Sequence, residues 1–151
     1  MVDETSTRDL QLNVGVLMYV AARSLEARAY DALIAAGATD LTPTQARLMA
    51  QVDPDGSRVV TLAARARITK QSAAFLVDQL ERAGYVVRVA DPRDGRAKLV
   101  RLSPHGRAFG DAADAEVARV LEEWEQHLGT SRMRDLEETM QMLREITDPW
   151  A

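Results

Sequence analysis

The sequence predicts a mainly α-helical chain with one small β-hairpin (α+β). Apolar residues recur at three- and four-residue steps through most of its 151 residues. Only one stretch, "YVVRVADPRDGRAKLVRLS" (85–103), sets β-like runs on both sides of a turn-forming tip. Charge is also segregated along the chain. Residues 58–107 hold eleven Lys/Arg and four Asp/Glu, net +7, while the rest holds eight basic and nineteen acidic side chains, within a total of −4. A basic middle between acidic ends suits a nucleic-acid module inside a larger scaffold.

Element by element, residues 8–36 read as one long helix. Leu10, Val14, Leu17, Ala21 and Leu25 form its stripe, and Gly37 suits its C-terminal cap. In "LTPTQARLMAQV", Thr42 is an N-cap, Pro43 takes the first helical position and Gln45 completes a capping box. "DPDG" (53–56) is a turn. An extended piece is expected near Arg58–Val60, then a short helix to about Arg67, a bend, and a second helix from Lys70 to Ala83 closed by Gly84. Strands ending at Ala90 and resuming near Lys98 leave "DPRDGRA" as the hairpin tip, with Pro92 and Gly95 setting its turn. Ser103-Pro104 opens a helix to Gly129 whose first turns Gly106 and Gly110 weaken. Ser131 is expected to cap a last helix that stops before Asp148-Pro149.

The totals exclude several functions. There is no cysteine, hence no disulfide and no thiolate metal site, and the two histidines, His105 and His127, lie far apart in sequence. No metal site and no cofactor are expected. Acidic pairs occur without a histidine, ligand spacing or phosphate-binding glycine loop beside them, so no enzyme is read here. The N-terminal "MVDETSTRDLQ" lacks a signal-peptide pattern and no run reaches the length of a membrane span, so a cytoplasmic protein without membrane contact is expected.

A short helix, a tight bend, a second helix and a charged hairpin follow the order of a winged helix–turn–helix. In the second helix Ala73, Leu76, Val77 and Leu80 share one apolar face, and Gln71, Phe75, Asp78 and Arg82 lie opposite. Gln71 and Ser72 occupy the first turn, the end that enters a major groove in this motif. Thr69 caps that end, where free N–H groups favour phosphate, and Lys70 suits a phosphate contact. Gln71 can pair bidentately with adenine. Phe75 either covers a neighbour or meets a thymine methyl or sugar edge. Asp78 should pair with a local arginine. At the wing, Asp91 is expected to hold the guanidinium of Arg93 or Arg96, presetting it for a narrow minor groove, with Lys98 beside them.

"LTPTQARLMA", "LAARARITKQSAAFLVDQLERAGYVVR" and "DPRDGRAKLVRLSPHGRA" resemble, in order and spacing, the MarR family of winged helix–turn–helix transcriptional regulators. Asp91, Arg93 and Arg96 stand as the family's Asp-x-Arg-x-x-Arg wing motif, and the match is close over about 41–108. The resemblance implies a DNA-binding lobe at 41–102 and dimerisation helices at 8–37 and 103–147. It implies a homodimer on double-stranded DNA with a pseudo-palindromic operator, and a repressor released by a small aromatic or anionic ligand. Ala74 and Phe75 depart from the polar or basic residues common in relatives, so base readout does not carry over at those positions. Without cysteine, a thiol-based peroxide sensor is excluded.

The dimer expectation has support in the residues themselves. Leu10, Val14 and Leu17 in the first helix and Met133, Leu136, Met140 and Leu143 in the last form stripes that a monomer would struggle to cover, with Met142 and Ile146 beside the second. Acidic runs such as "EVARVLEEWEQ" are read as a solvated face. Trp124, Tyr19 and Tyr30 are read first as packing and second as lining for a ligand cleft. The competing function is a winged helix that binds protein rather than DNA. Phe75 and Asp78 favour it, and Lys70, Arg93, Arg96 and Lys98 count against it.

Overall fold

The computed structural model describes residues 12–148. In chain order the elements are α1 (Val14–Ala35), α2 (Pro43–Met49), α3 (Val59–Ala66), α4 (Lys70–Arg82), β1 (Val86–Asp91), β2 (Asp94–Leu102), α5 (Pro104–Leu128) and α6 (Thr130–Thr147). This is the mainly helical fold with one antiparallel hairpin that the sequence predicts.

Leu12 and Asn13 are not helical; the Asn13 side chain instead accepts the Val16 N–H at 3.1 Å and caps α1. Leu10 lies outside the described residues. Gly37, at φ 110°, turns the chain out of α1 in a conformation that glycine adopts without strain. The capping box at Thr42 and Gln45 forms in both directions.

Three local expectations are corrected. The extended piece is Ser57 and Arg58 only: the Ser57 N–H and C=O exchange hydrogen bonds with Val100 at 2.9 and 2.8 Å and Arg58 has extended backbone, while Val59 and Val60 are already helical. The strands run almost to the wing tip rather than stopping at Ala90 and Lys98. Ala90 pairs with Lys98 but Asp91 with Asp94, so residues 95–97 form the irregularity in β2, and Gly95 does not use a positive φ. Ser131 does not cap α6: its N-cap is Gly129, which makes no side-chain bond and reverses the chain at φ 88°.

The core lies where α1, the helix–turn–helix and the hairpin meet, around Leu33, Leu41, Leu48, Leu62, Val77, Leu80, Tyr85 and Val100. α3 packs on α4, α1 along α5, and α5 on α6. One ionic clamp holds α1 to α5. The Arg28 Nε donates to Glu116 at 2.8 Å and its Nη1 to Glu123 at 2.5 Å. Two acids of the run read as a solvated face are thus tied to a partner, and Glu116 is mostly covered.

Candidate DNA-contacting surface

The bend between α3 and α4 contains no glycine, and Arg67 supplies the left-handed residue at φ 52°, ψ 43°. That conformation lets Ile68 N–H bond back to Ala63 O at 3.0 Å and sets the start of α4. Thr69 Oγ1 accepts the Ser72 N–H at 3.0 Å, the cap the sequence indicates. Lys70, Gln71 and Ser72 are all exposed in this first turn.

The two faces of α4 separate as their spacing predicts. Ala73, Val77 and Leu80 are buried, while Gln71, Phe75 and Arg82 are exposed. Asp78 finds its local arginine: Arg88 Nη2 donates to it at 2.6 Å and Nη1 donates to Glu81, locking β1 against α4. Phe75 is 59% exposed, a large apolar side chain left mostly open to solvent on this face.

The wing corrects the expectation for Asp91. Its carboxylate holds neither the Arg93 nor the Arg96 guanidinium. Oδ2 accepts Nε and Nη2 of Arg58, at 3.0 and 2.7 Å, and Oδ1 accepts the backbone N–H of Arg93 at 2.9 Å. The Arg93 N–H and the Arg58 guanidinium together hold the Asp91 carboxyl below its ordinary value. Asp94 Oδ1 accepts the Arg96 N–H at 3.2 Å. The main chain of the tip is therefore fixed by aspartates, while the side chains of Arg93, Arg96 and Lys98 are exposed and lack an ion-paired carboxylate among the described residues. Arg58, which joins wing to α3, carried no signal in the sequence beyond its charge. Its partner lies 33 residues away.

A cavity of about 690 Å³ lies between α1 and the helix–turn–helix. Tyr30, Leu33, Ile68 and Leu76 give it an apolar wall, and Arg23, Glu26, Arg47 and Arg65 are among its polar lining. Arg47 donates to Glu26, joining α2 to α1 across this region. Tyr30 both packs and lines the cavity, its hydroxyl donating to Leu41 O at 2.7 Å. Neither Tyr19 nor Trp124 lines it.

Residues 39–97 match the family model of the MarR family. Over these residues, the helix–turn–helix and the wing tip, the chain is similar to the MarR family. Solved structures with the same fold include CouR from Rhodococcus jostii RHA1 bound to p-coumaroyl-CoA, at 24% identity and a TM-score of 0.68, covering 91% of this chain and 95% of that one. CouR bound to a 23-mer DNA duplex is 23% identical with a TM-score of 0.65, over 89% of this chain and 94% of that one. NadR in complex with 4-hydroxyphenylacetate is 24% identical with a TM-score of 0.68, over 89% and 94%. Compared with curated proteins by sequence, the chain has no significant match. The MarR-family match ends within the wing, so α5 and α6 rest on the structural likeness alone.

Among the described residues no group of three His, Asp or Glu could hold a metal ion, and no helix is long and apolar enough to cross a membrane.

Proposed function

We propose that this chain is a MarR-family, homodimeric, sequence-specific regulator of transcription in the cytoplasm, a repressor released from double-stranded DNA by a small ligand. The observation that carries the reading is the joint display, on one lobe, of an open capped helix end (Thr69, Lys70, Gln71, Ser72) and a wing whose Arg93, Arg96 and Lys98 side chains are exposed. A similar fold, that of CouR, is described bound to a DNA duplex.

Dimerisation is supported by what α1 and α6 leave uncovered. Val14 is 72% exposed and Ile146 85%, with Leu17, Leu136 and Met140 exposed and Leu143 partly so. Met133 is the exception among the expected dimer residues; at 7% exposure it is covered within its own chain. Charge placed at Leu17 (Leu17→Glu) is expected to yield a folded monomer in analytical ultracentrifugation; an unchanged dimer would remove α1 from the interface. Two-fold symmetry sets half-sites about 10 bp apart, or a multiple of it.

Ligand control is supported by the cavity, which joins an apolar wall to arginines and adjoins α4 through Leu76. CouR and NadR are described with p-coumaroyl-CoA and 4-hydroxyphenylacetate, both aromatic and anionic. An amphipathic aromatic acid suits the same combination here.

The test is fluorescence anisotropy on the DNA upstream of the protein's own gene and on a scrambled duplex, across a salt series. Tighter binding to the native duplex, with log affinity falling steeply as log salt rises, is expected. Equal, weak binding to every duplex, including those enriched from a random library, would overturn the reading. In the same assay Arg93→Ala should weaken binding and reduce preference for A·T at the site flanks. Unchanged affinity and preference would sink the wing assignment.

A further inference from the structure

Phe75 is the large apolar side chain on the outer face of α4, and the structure leaves it open. Its ring makes no aromatic contact among the described residues, and its backbone lies one turn after Gln71 on the same face. The other side chains of that face are accounted for differently. Asp78 is drawn to β1 by Arg88, which removes a carboxylate from the approach of a phosphate-bearing partner. Ala74, beside Phe75, is small and half-buried, so it adds no bulk next to the ring.

Phe75 is the sixth residue of α4, within the two turns that face base edges when this motif sits in a major groove. A phenyl ring cannot hydrogen-bond to a base edge. The apolar group a major groove offers is the C5-methyl of thymine. An exposed aromatic in water gains from covering such a methyl and gains nothing from a cytosine at the same place, which presents an N4 amino donor instead.

We infer that Phe75 is a specificity-determining residue that reads a thymine methyl within each half-site, next to the base pair contacted by Gln71. The inference rests on the DNA-binding reading above and adds a chemical identity to one position of the operator.

The experiment uses the full-length protein and a duplex enriched by it from a random library. Each thymine in that duplex is replaced in turn by deoxyuridine, which deletes the methyl and nothing else. One thymine per half-site is expected at which the replacement weakens wild-type binding by roughly fourfold, the weight of one buried methyl group. Phe75→Ala should bind the thymine duplex more weakly and no longer distinguish it from the uridine one at that position. Phe75→Leu should keep part of the distinction. Because Phe75 is exposed, the alanine variant should fold, which circular dichroism checks. Enrichment of a duplex with no methyl-sensitive position, or a sensitivity that persists undiminished in Phe75→Ala, overturns the inference and leaves the DNA-binding reading standing. Failure to enrich any duplex overturns both.

Discussion

Gly106→Ala is expected to destabilise the fold by at least about 3 kcal/mol, the upper range for forcing an extra methyl into a packed site. The cause is not backbone conformation, since Gly106 does not use a positive φ. A Cβ built there would stand 2.0 Å from the carbonyl oxygen of Tyr85 and 2.9 Å from its carbon. Both are main-chain atoms at the start of the hairpin, held in place by Ser103, whose N–H donates to the same carbonyl at 3.0 Å and whose hydroxyl donates to Gly84 O. Neither α5 nor β1 can yield without breaking this junction. Gly110→Ala is the matched control. Its added carbon would meet only Leu102 Cδ1, at an ordinary 3.8 Å, so the better helix former should add up to about 1 kcal/mol. Urea denaturation of the two variants should thus shift in opposite directions. Equal shifts would mean that helix propensity, not the close approach, governs both sites.

The same two glycines show where sequence reasoning stops. Read along the chain, each weakens one turn of a helix. Only the fold reveals that α5 crosses the backbone of Tyr85 at one of them, and the crossing partner is 21 residues back. What the sequence did disclose is local. The caps at Thr42 and Thr69 and the buried face of α4 follow from side chains three or four residues apart, and all are present. The exit of the chain at Gly37 follows from one residue's backbone preference. The clamp of Arg28 on Glu116 and Glu123 was invisible because acidic residues at helical spacing look the same solvated or paired. The left-handed turn at Arg67 was hidden for a related reason, since arginine carries no turn preference and its φ of 52° is imposed by the packing of α3 on α4. Val59 and Val60, β-branched and extended by propensity, are helical because Leu62 and Ala63 must reach the core.

The wing residue that most tests this distinction is Asp91, and its removal should weaken DNA binding. Simple charge counting gives the opposite sign. Deleting a carboxylate two residues from Arg93 makes the wing more positive and should raise affinity for a polyanion. The geometry argues otherwise. Asp91 is buried at the point where the hairpin register shifts, accepts two N–H groups of Arg58 and fixes the Arg93 N–H, so without it the tip must be ordered by the DNA itself. Asp91→Ala is therefore expected to lower affinity by roughly threefold to tenfold, the cost of immobilising one or two side chains and their turn on binding. Arg58→Ala should do the same, and the double variant should lose little more than Asp91→Ala alone, because both changes break one contact. Independent charge effects would instead make the two single changes opposite in sign and cancel in the pair. The pH dependence follows from the depressed carboxyl. The link is complete above the ordinary carboxylate range and is lost only as pH falls through the lower folded value, so wild-type wing order should be flat from about pH 5 to pH 8. An affinity that rises in Asp91→Ala would show that this aspartate is a repulsive charge and not the anchor of the wing.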